Sequence, residues 1–300
     1  MDTTLHIWRV FKGALGGFLE DECIRYSAAL SFFALFSLAP MVLIAVQVAG
    51  FLADDINFQQ QLTEQFSQLV GEKGAQGITV LMESLERKDT SLVQLVIGAA
   101  ALIFSATSIF VQLQTSFNHI YSVRVKSDKS LIKQLINRLI SLGMILSLGF
   151  IMIISLIIDS TIVMLESYLG IVFQGATGEL VIAIQYLVLL GLVFMILYSL
   201  FNFLPDVSIK REFKVKGAAA ITTLLITGKF GIGWYIGNSQ FSEIGGASAS
   251  IIVLMVWIYY SSMIVFFGAE LIKSMARLSD VKMSPRRFAV KIKSVVVDDE

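Results

Sequence analysis

Cysteine, histidine and proline are almost missing from this 300-residue chain, and charge is scarce. The single cysteine, Cys23, can close no internal disulfide, and no cysteine-based metal cluster can be built on it. The two histidines, His6 and His119, are far apart in the chain, so a histidine-rich metal site and a histidine-based nucleophilic triad both lack candidates. Only three prolines occur, which permits long uninterrupted helices nearly everywhere. Charged residues make up 15%, against about 25% in a typical soluble domain. Hydrophobic residues reach 56%. A soluble fold of this length would run short of polar covering, and disorder is excluded by the same apolar excess. No Walker-type phosphate loop, HExxH or GxSxG is present, so no recognisable motif supports ATP hydrolysis or enzymatic hydrolysis. The 23 Lys and Arg cancel the 23 Asp and Glu, which removes any global electrostatic case for a nucleic-acid partner.

What the chain has instead is long apolar runs. A bilayer crossing takes about 20 helical residues, and runs of that kind fall at 28–52, 91–117, 139–158, 180–203, 217–235 and 250–271. The expected fold class is therefore an all-α membrane protein with six transmembrane helices. Residues 1–280 would form one membrane domain, and 281–300 a basic-then-acidic cytoplasmic tail. The first run is too long, and begins too far into the chain, for a cleaved signal peptide.

Lys and Arg fix the orientation. The N-terminal segment, the loops at 118–138 and 204–216, and the tail after 271 hold 19 of them, against three in the other connections (Lys73, Arg87 and Lys88). Both termini are thus expected in the cytoplasm. With acidic residues included, the zero net charge separates into +8 inside and −8 outside.

Two stretches outside the spans look amphipathic. Ile7, Trp8, Phe11, Leu15, Phe18 and Leu19 recur at helical spacing beside Arg9 and Lys12. That pattern fits an N-terminal helix lying in the membrane interface, or one packed on the cytoplasmic ends of the spans. The outer loop at 53–90 reads as two short helices around residues 71–77 that cap the outer face. No convincing internal repeat joins the two halves of the chain.

Polar groups and helix breakers inside the spans are the candidate functional residues. Lys229 lies about twelve residues into the fifth span, among Gly228, Gly231 and Gly233. An intramembrane ammonium costs a few kcal/mol unless paired or hydrated. Short glycine-interrupted spans point to binding sites in transporters. Lys229 is read either as a fixed charge facing a polar cavity, suited to a phosphate or carboxylate headgroup, or as a snorkelling side chain that meets Asp159, Glu166 or Glu243. Pro40 lies midway along the first span, removes one backbone hydrogen bond, kinks the helix and is the candidate hinge, with Ser31 and Ser37 placed to satisfy freed carbonyls. Ser105, Ser108, Gln112 and Thr115 share one face of the second span, as an interhelical hydrogen-bonding stripe or a cavity wall. In the sixth span Tyr259, Tyr260 and Ser261 follow Trp257 and Ile258 near mid-bilayer, as packing with satisfied hydroxyls or as cavity lining. Glu270, at the cytoplasmic end, can pair with Lys273 at i,i+3.

Four ordered motifs carry a family resemblance. Tyr26-Ser27-Ala28-Ala29-Leu30-Ser31-Phe32-Phe33 through Ala39-Pro40, Ser105-Ala106-Thr107-Ser108 through Asn118-His119-Ile120-Tyr121, the Gly228-Lys229 pair, and Trp257-Ile258-Tyr259-Tyr260-Ser261-Ser262 with Gly268-Ala269-Glu270-Leu271 resemble the YihY/BrkB family of bacterial inner-membrane proteins. Arginine is common there in place of His119. The resemblance covers roughly residues 10–280 and implies a six-span inner-membrane protein with both termini inside. The family long carried a ribonuclease BN label, which no acidic metal site, basic groove or histidine pair in this sequence supports. Some members are linked to serum resistance and virulence, and some to lipid or lipid A traffic.

The resulting expectation is a cofactor-free, non-enzymatic transporter or scramblase-like protein for an anionic lipid or other amphiphile. Its substrate site would comprise Lys229, Gly228, Gly231, Ser105, Ser108, Gln112, Tyr259, Tyr260 and Ser261, with membrane lipids as partners. The alternative is a non-transporting platform for envelope proteins, engaging a periplasmic partner through loop 53–90. A homo-oligomer is compatible with either.

Overall fold

The computed structural model describes residues 3–52, 67, 92–126, 177–238 and 241–292. The expected outer-loop helices within 53–90, the third span at 139–158, and the possible Lys229 partners Asp159 and Glu166 lie outside the described residues, Ser67 apart.

Six helices dominate. They are α1 (Thr3–Glu20), α2 (Cys23–Leu52), α3 (Leu92–Ile120), α4 (Thr177–Phe203), α5 (Arg211–Asn238) and α6 (Phe241–Leu278). Two of them, α4 over Tyr186–Phe203 and α6 over Ile251–Leu278, contain stretches long and apolar enough to cross a membrane. The 38 residues of α6 span about 57 Å at 1.5 Å per residue, more than the roughly 30 Å hydrocarbon core. This helix is therefore longer than a bilayer crossing requires.

The glycines of the fifth span allow close helix approach or local unwinding, and Pro40 is expected to kink the first span. α5 is not unwound at its glycines, and the continuity of α2 bears on neither the kink nor the hinge. α5 runs unbroken for 28 residues through Gly228, Gly231 and Gly233, and α2 runs for 30 through Pro40. A helix tolerates isolated glycines at about 1 kcal/mol each when its neighbours supply packing. Ser31 and Ser37 donate to the carbonyls of Ala28 (2.8 Å) and Ala34 (2.7 Å), not to the Phe36 carbonyl whose partner Pro40 removes.

Two short antiparallel ribbons tie one end of the bundle together. β1 (Val123–Val125), which follows α3, pairs with β4 (Ala289–Lys291). β2 (Val207–Ser208), between α4 and α5, pairs with β3 (Ser284–Pro285). The chain beyond residue 280, expected to be a mere tail, is in its first part the strand partner of two separate connections. At the same end α1 lies along the last turns of α6. The structure thus gathers in one place the four segments that the Lys and Arg count puts on one side.

The core sits at this end. Phe117, Phe201 and Phe266 are all at most 1% exposed. Phe117 meets the other two rings at 5.8 Å, edge-on to Phe266. Such pairs add about 0.5–1.5 kcal/mol beyond burial. Ile120, Ile221, Ile272 and Val207 close around them.

α1 packs on the end of α6, as one of the two readings of its pattern has it. At 100° per residue Val10, Gly13, Ala14 and Gly17 form a narrow strip, and Val10 and Ala14 are buried. The Ser274 hydroxyl of α6 donates to the Val10 carbonyl at 2.9 Å. The opposite side exposes Leu5, Trp8, Leu15 and Leu19, an apolar face fit for the membrane interface. Phe11 and Phe18 flank the seam, edge-on to Phe267.

Candidate functional site

Among the candidates, the structure brings together residues of α5 and α6. Gly228 leaves no room for a side chain, because a Cβ there would lie 2.8 Å from two ring carbons of Tyr260. The glycine therefore seats Tyr260, and the phenol lies against α5 one residue from Lys229. The helical register of Lys229 falls between those of Ala218 and Thr222, both buried on the inward stripe of α5. Its side chain, like that of Glu243, lies outside the described residues. The Ser261 hydroxyl is buried with no hydrogen-bond partner among the described residues, and a buried hydroxyl in that state costs about 1–3 kcal/mol. Ser262 donates instead to the Ile258 carbonyl at 2.7 Å. Tyr259 and Tyr260 are half-buried.

Gly228→Ala should cost about 1–3 kcal/mol by overpacking. In a Tyr260→Ala background the same change should cost far less, a coupling that thermal unfolding of the four-member mutant set would measure. Equal costs in both backgrounds would contradict the seat.

The remaining candidates are placed elsewhere. Gly231 has nothing within 4 Å of a Cβ. Ser105, Ser108 and Gln112 are half-buried on α3 and Thr115 is exposed. α3 packs chiefly on α2, with α6 as a further neighbour. Ser108 and Thr115 each donate at 2.8 Å to the carbonyl one turn back, of Phe104 and Val111. Their hydroxyls are thus satisfied by their own helix.

Another polar set on α3 has the long-range role. The Asn118 amide donates to a carboxylate oxygen of Asp206 at 2.9 Å, and its own oxygen accepts the Asp206 backbone N–H at 2.8 Å. The Gln114 amide donates to the same oxygen at 3.1 Å. Asp206 is 2% exposed, and its carbonyl accepts the Arg286 N–H at 2.8 Å. One acidic residue therefore joins α3, the α4–α5 connection and the C-terminal ribbon. Beside it the Arg286 guanidinium donates to the Asn202 and Phe203 carbonyls, and the Lys214 ammonium to the Asn202 side-chain oxygen. Burial, then the nearby Arg286 and Arg211 charges, hold Lys214 below the ordinary lysine pKa.

A second buried set links α1 to α6. Glu270, with 1% of its side chain exposed, lies 3.4 Å from the Lys273 ammonium, so the pairing read from the sequence is present. Lys273 also pairs with Asp21. Gly17 of α1 lies against the Glu270 carboxyl, whose Cδ is 2.8 Å from where a Cβ would be. Cys23 is fully buried beside this set. Burial first, then the Glu270 and Asp21 charges, push its thiol up to about 12, so it stays protonated. Tyr121, 3% exposed, is raised well above the usual phenol value by burial and then by Glu270. Its hydroxyl has no partner among the described residues. A sequence signal did exist for this contact, since a glycine inside an amphipathic helix usually has a packing reason.

Among the described residues, two helices are long and apolar enough to cross a membrane. The family model described as "Virulence factor BrkB" matches residues 14–291, and the chain belongs to that family. It is similar to a UPF0761 membrane protein of Saccharophagus degradans, 24% identical over 282 residues, covering 93% of this chain and 62% of that one. It is also similar to one from Alkalilimnicola ehrlichii, 26% identical over 272 residues, covering 87% and 57%. A third, from Xanthomonas campestris pv. campestris strain B100, is 23% identical over 263 residues, covering 86% and 59%. The chain thus spans about three-fifths of the length of these curated relatives. No solved structure matches it. The family match reaches 291, and so takes in both C-terminal strands.

Proposed function

We propose that this protein is a six-span, non-enzymatic inner-membrane protein that moves an anionic lipid or similar amphiphile between leaflets, with both termini in the cytoplasm. The observation that carries the reading is the position of Lys229: its register continues the inward stripe of an unbroken helix, one residue from the glycine that seats Tyr260. From Lys216 to Lys229 the rise is about 20 Å, which would set position 229 of the helix well within the hydrocarbon. A cation there recruits an anionic headgroup at lower cost than it bears alone. The Tyr260 and Ser261 hydroxyls would supply hydrogen bonds at the same depth.

The shared end supports the proposed sidedness and span count. α3 and α4 both finish there, so the connection between them begins and ends on opposite sides, as a third span over 139–158 requires. The basic character of the ribbons and connections at that end supports its placement in the cytoplasm. The exposed apolar face of α1 then lies in the inner-leaflet interface.

Purified protein in vesicles containing a fluorescent anionic lipid should speed its loss to an external quencher over protein-free vesicles. A rate equal to that of empty vesicles would reject the reading.

A second reading, a non-transporting platform for envelope proteins, is favoured by one observation. Strand pairing organises the C-terminal segment and two connections into a single surface at one end. On that reading removal of residues 281–300 abolishes function while Lys229→Ala leaves it intact.

A further inference from the structure

We propose that Asp21 and Glu270, bridged by Lys273, form a one-proton binding site that fastens α1 to α6. The site surrounds one ammonium with two carboxyls. Were both ionised, the charge left uncompensated would fall on Glu270, 1% exposed, behind the partly exposed Asp21–Lys273 pair. Burying an uncompensated charge costs several kcal/mol, and close carboxylates disfavour the second ionisation. One O–H bond therefore persists, on one carboxyl oxygen or the other, and the pair titrates as a unit.

Among the described residues, nothing packed against the site replaces that proton. α1 contributes Gly17, which has no side chain to offer. From α2 comes the neutral Cys23 thiol. The chain just after α3 contributes the buried, unpartnered Tyr121 hydroxyl, within electrostatic reach of Glu270. Glu22 is exposed and engaged with Arg25. On α6 the Ser274 hydroxyl is committed to Val10. Lys273 is the only cation ion-paired with either carboxyl among the described residues.

The sign of the pH dependence follows. With α1 lifted, both carboxyls reach water and release the proton. Docking is therefore strongest below the ordinary carboxylate range, at about pH 4. It weakens as pH rises through the midpoint of the closed site. The inference does not depend on lipid movement, and its test does not measure it.

Infrared spectra of the full chain in lipid vesicles, in H2O and D2O, decide it. A protonated-carboxyl C=O band should be present at about pH 6, where ordinary carboxyls are ionised, and should titrate away as a single proton. Asp21→Asn and Glu270→Gln should each abolish the band at that pH, because one carboxylate then balances one ammonium. Lys273→Gln should move the midpoint up by about 1–3 pH units. Amide exchange over residues 10–17, corrected for the intrinsic rate, should rise several-fold across the same titration in the wild type and stay flat in Glu270→Gln. The proposal is overturned by the absence of such a band, by a band that survives both acid substitutions, or by a midpoint that falls in Lys273→Gln. A band that disappears on adding Na+ at constant pH would also overturn it, since the site would then hold a metal cation. The wild-type and Lys273→Gln titrations keep the test decisive if an acid variant does not fold.

Discussion

Asp206→Ala should destabilise the protein by about 2–6 kcal/mol, at about 1–3 kcal/mol for each of the two donors left without its acceptor. The carboxylate accepts from both Gln114 and Asn118, so its removal leaves two amide groups facing the space it filled. The loss should also spread. Asp206 bonds through its backbone to Asn118 and to Arg286, so loosening it frees α3 from the α4–α5 connection and strains the β2–β3 ribbon. Asp206→Asn keeps the shape and one side-chain oxygen, which can take both amide donors as the single carboxylate oxygen does, and should recover most of the loss. Thermal unfolding in detergent, with protease susceptibility at 281–292 as a local readout, would measure both effects. A wild-type unfolding midpoint in Asp206→Ala would show that the network is ornamental.

The second large effect is functional. Lys229→Ala should lower anionic-lipid movement about 10- to 100-fold, which corresponds to about 1.5–3 kcal/mol for one hydrogen bond to a charged group. Lys229→Arg should retain most of the rate, since a guanidinium keeps the charge and binds phosphate. Lys229→Met should resemble Ala in rate yet fold at least as well as the wild type, because it removes the cost of an intramembrane ammonium. That split separates a working cation from a structural one: a structural lysine would lose stability and activity together.

Much of the architecture was legible because membrane proteins report themselves through coarse signals. Apolar runs of bilayer length and the bias of Lys and Arg are sums over many residues, so single exceptions do not blur them. The gathering of the N-terminal helix, two connections and the C-terminal segment at one end agrees with that bias. Local geometry was harder. Gly16 and Gly17 look alike in the sequence, but only Gly17 meets Glu270, while Gly16 faces open space. On α3 the polar stripe through Ser105, Ser108, Gln112 and Thr115 drew attention, yet Asn118 and Gln114 make the long-range bonds. The reason is physical. A helical serine or threonine can satisfy its hydroxyl on the carbonyl one turn back, as Ser108 and Thr115 do. An amide side chain has more donors and acceptors to satisfy, and finds them further away. The ribbons were invisible because strands of two or three residues carry no alternating pattern. Glycines in α5 left close helix approach and local unwinding both open. The sequence alone cannot distinguish a glycine that unwinds a helix from one that seats a partner's ring, and Gly228 does the second.

The most direct test compares two labelled lipids, one anionic and one zwitterionic with the same tails, in the same protein-containing vesicles. The anionic lipid should cross leaflets about tenfold faster or more, and Lys229→Ala should erase the difference. Equal rates for the two lipids in the wild type, or a preference that survives Lys229→Ala, would contradict the assignment of Lys229 as the headgroup anchor.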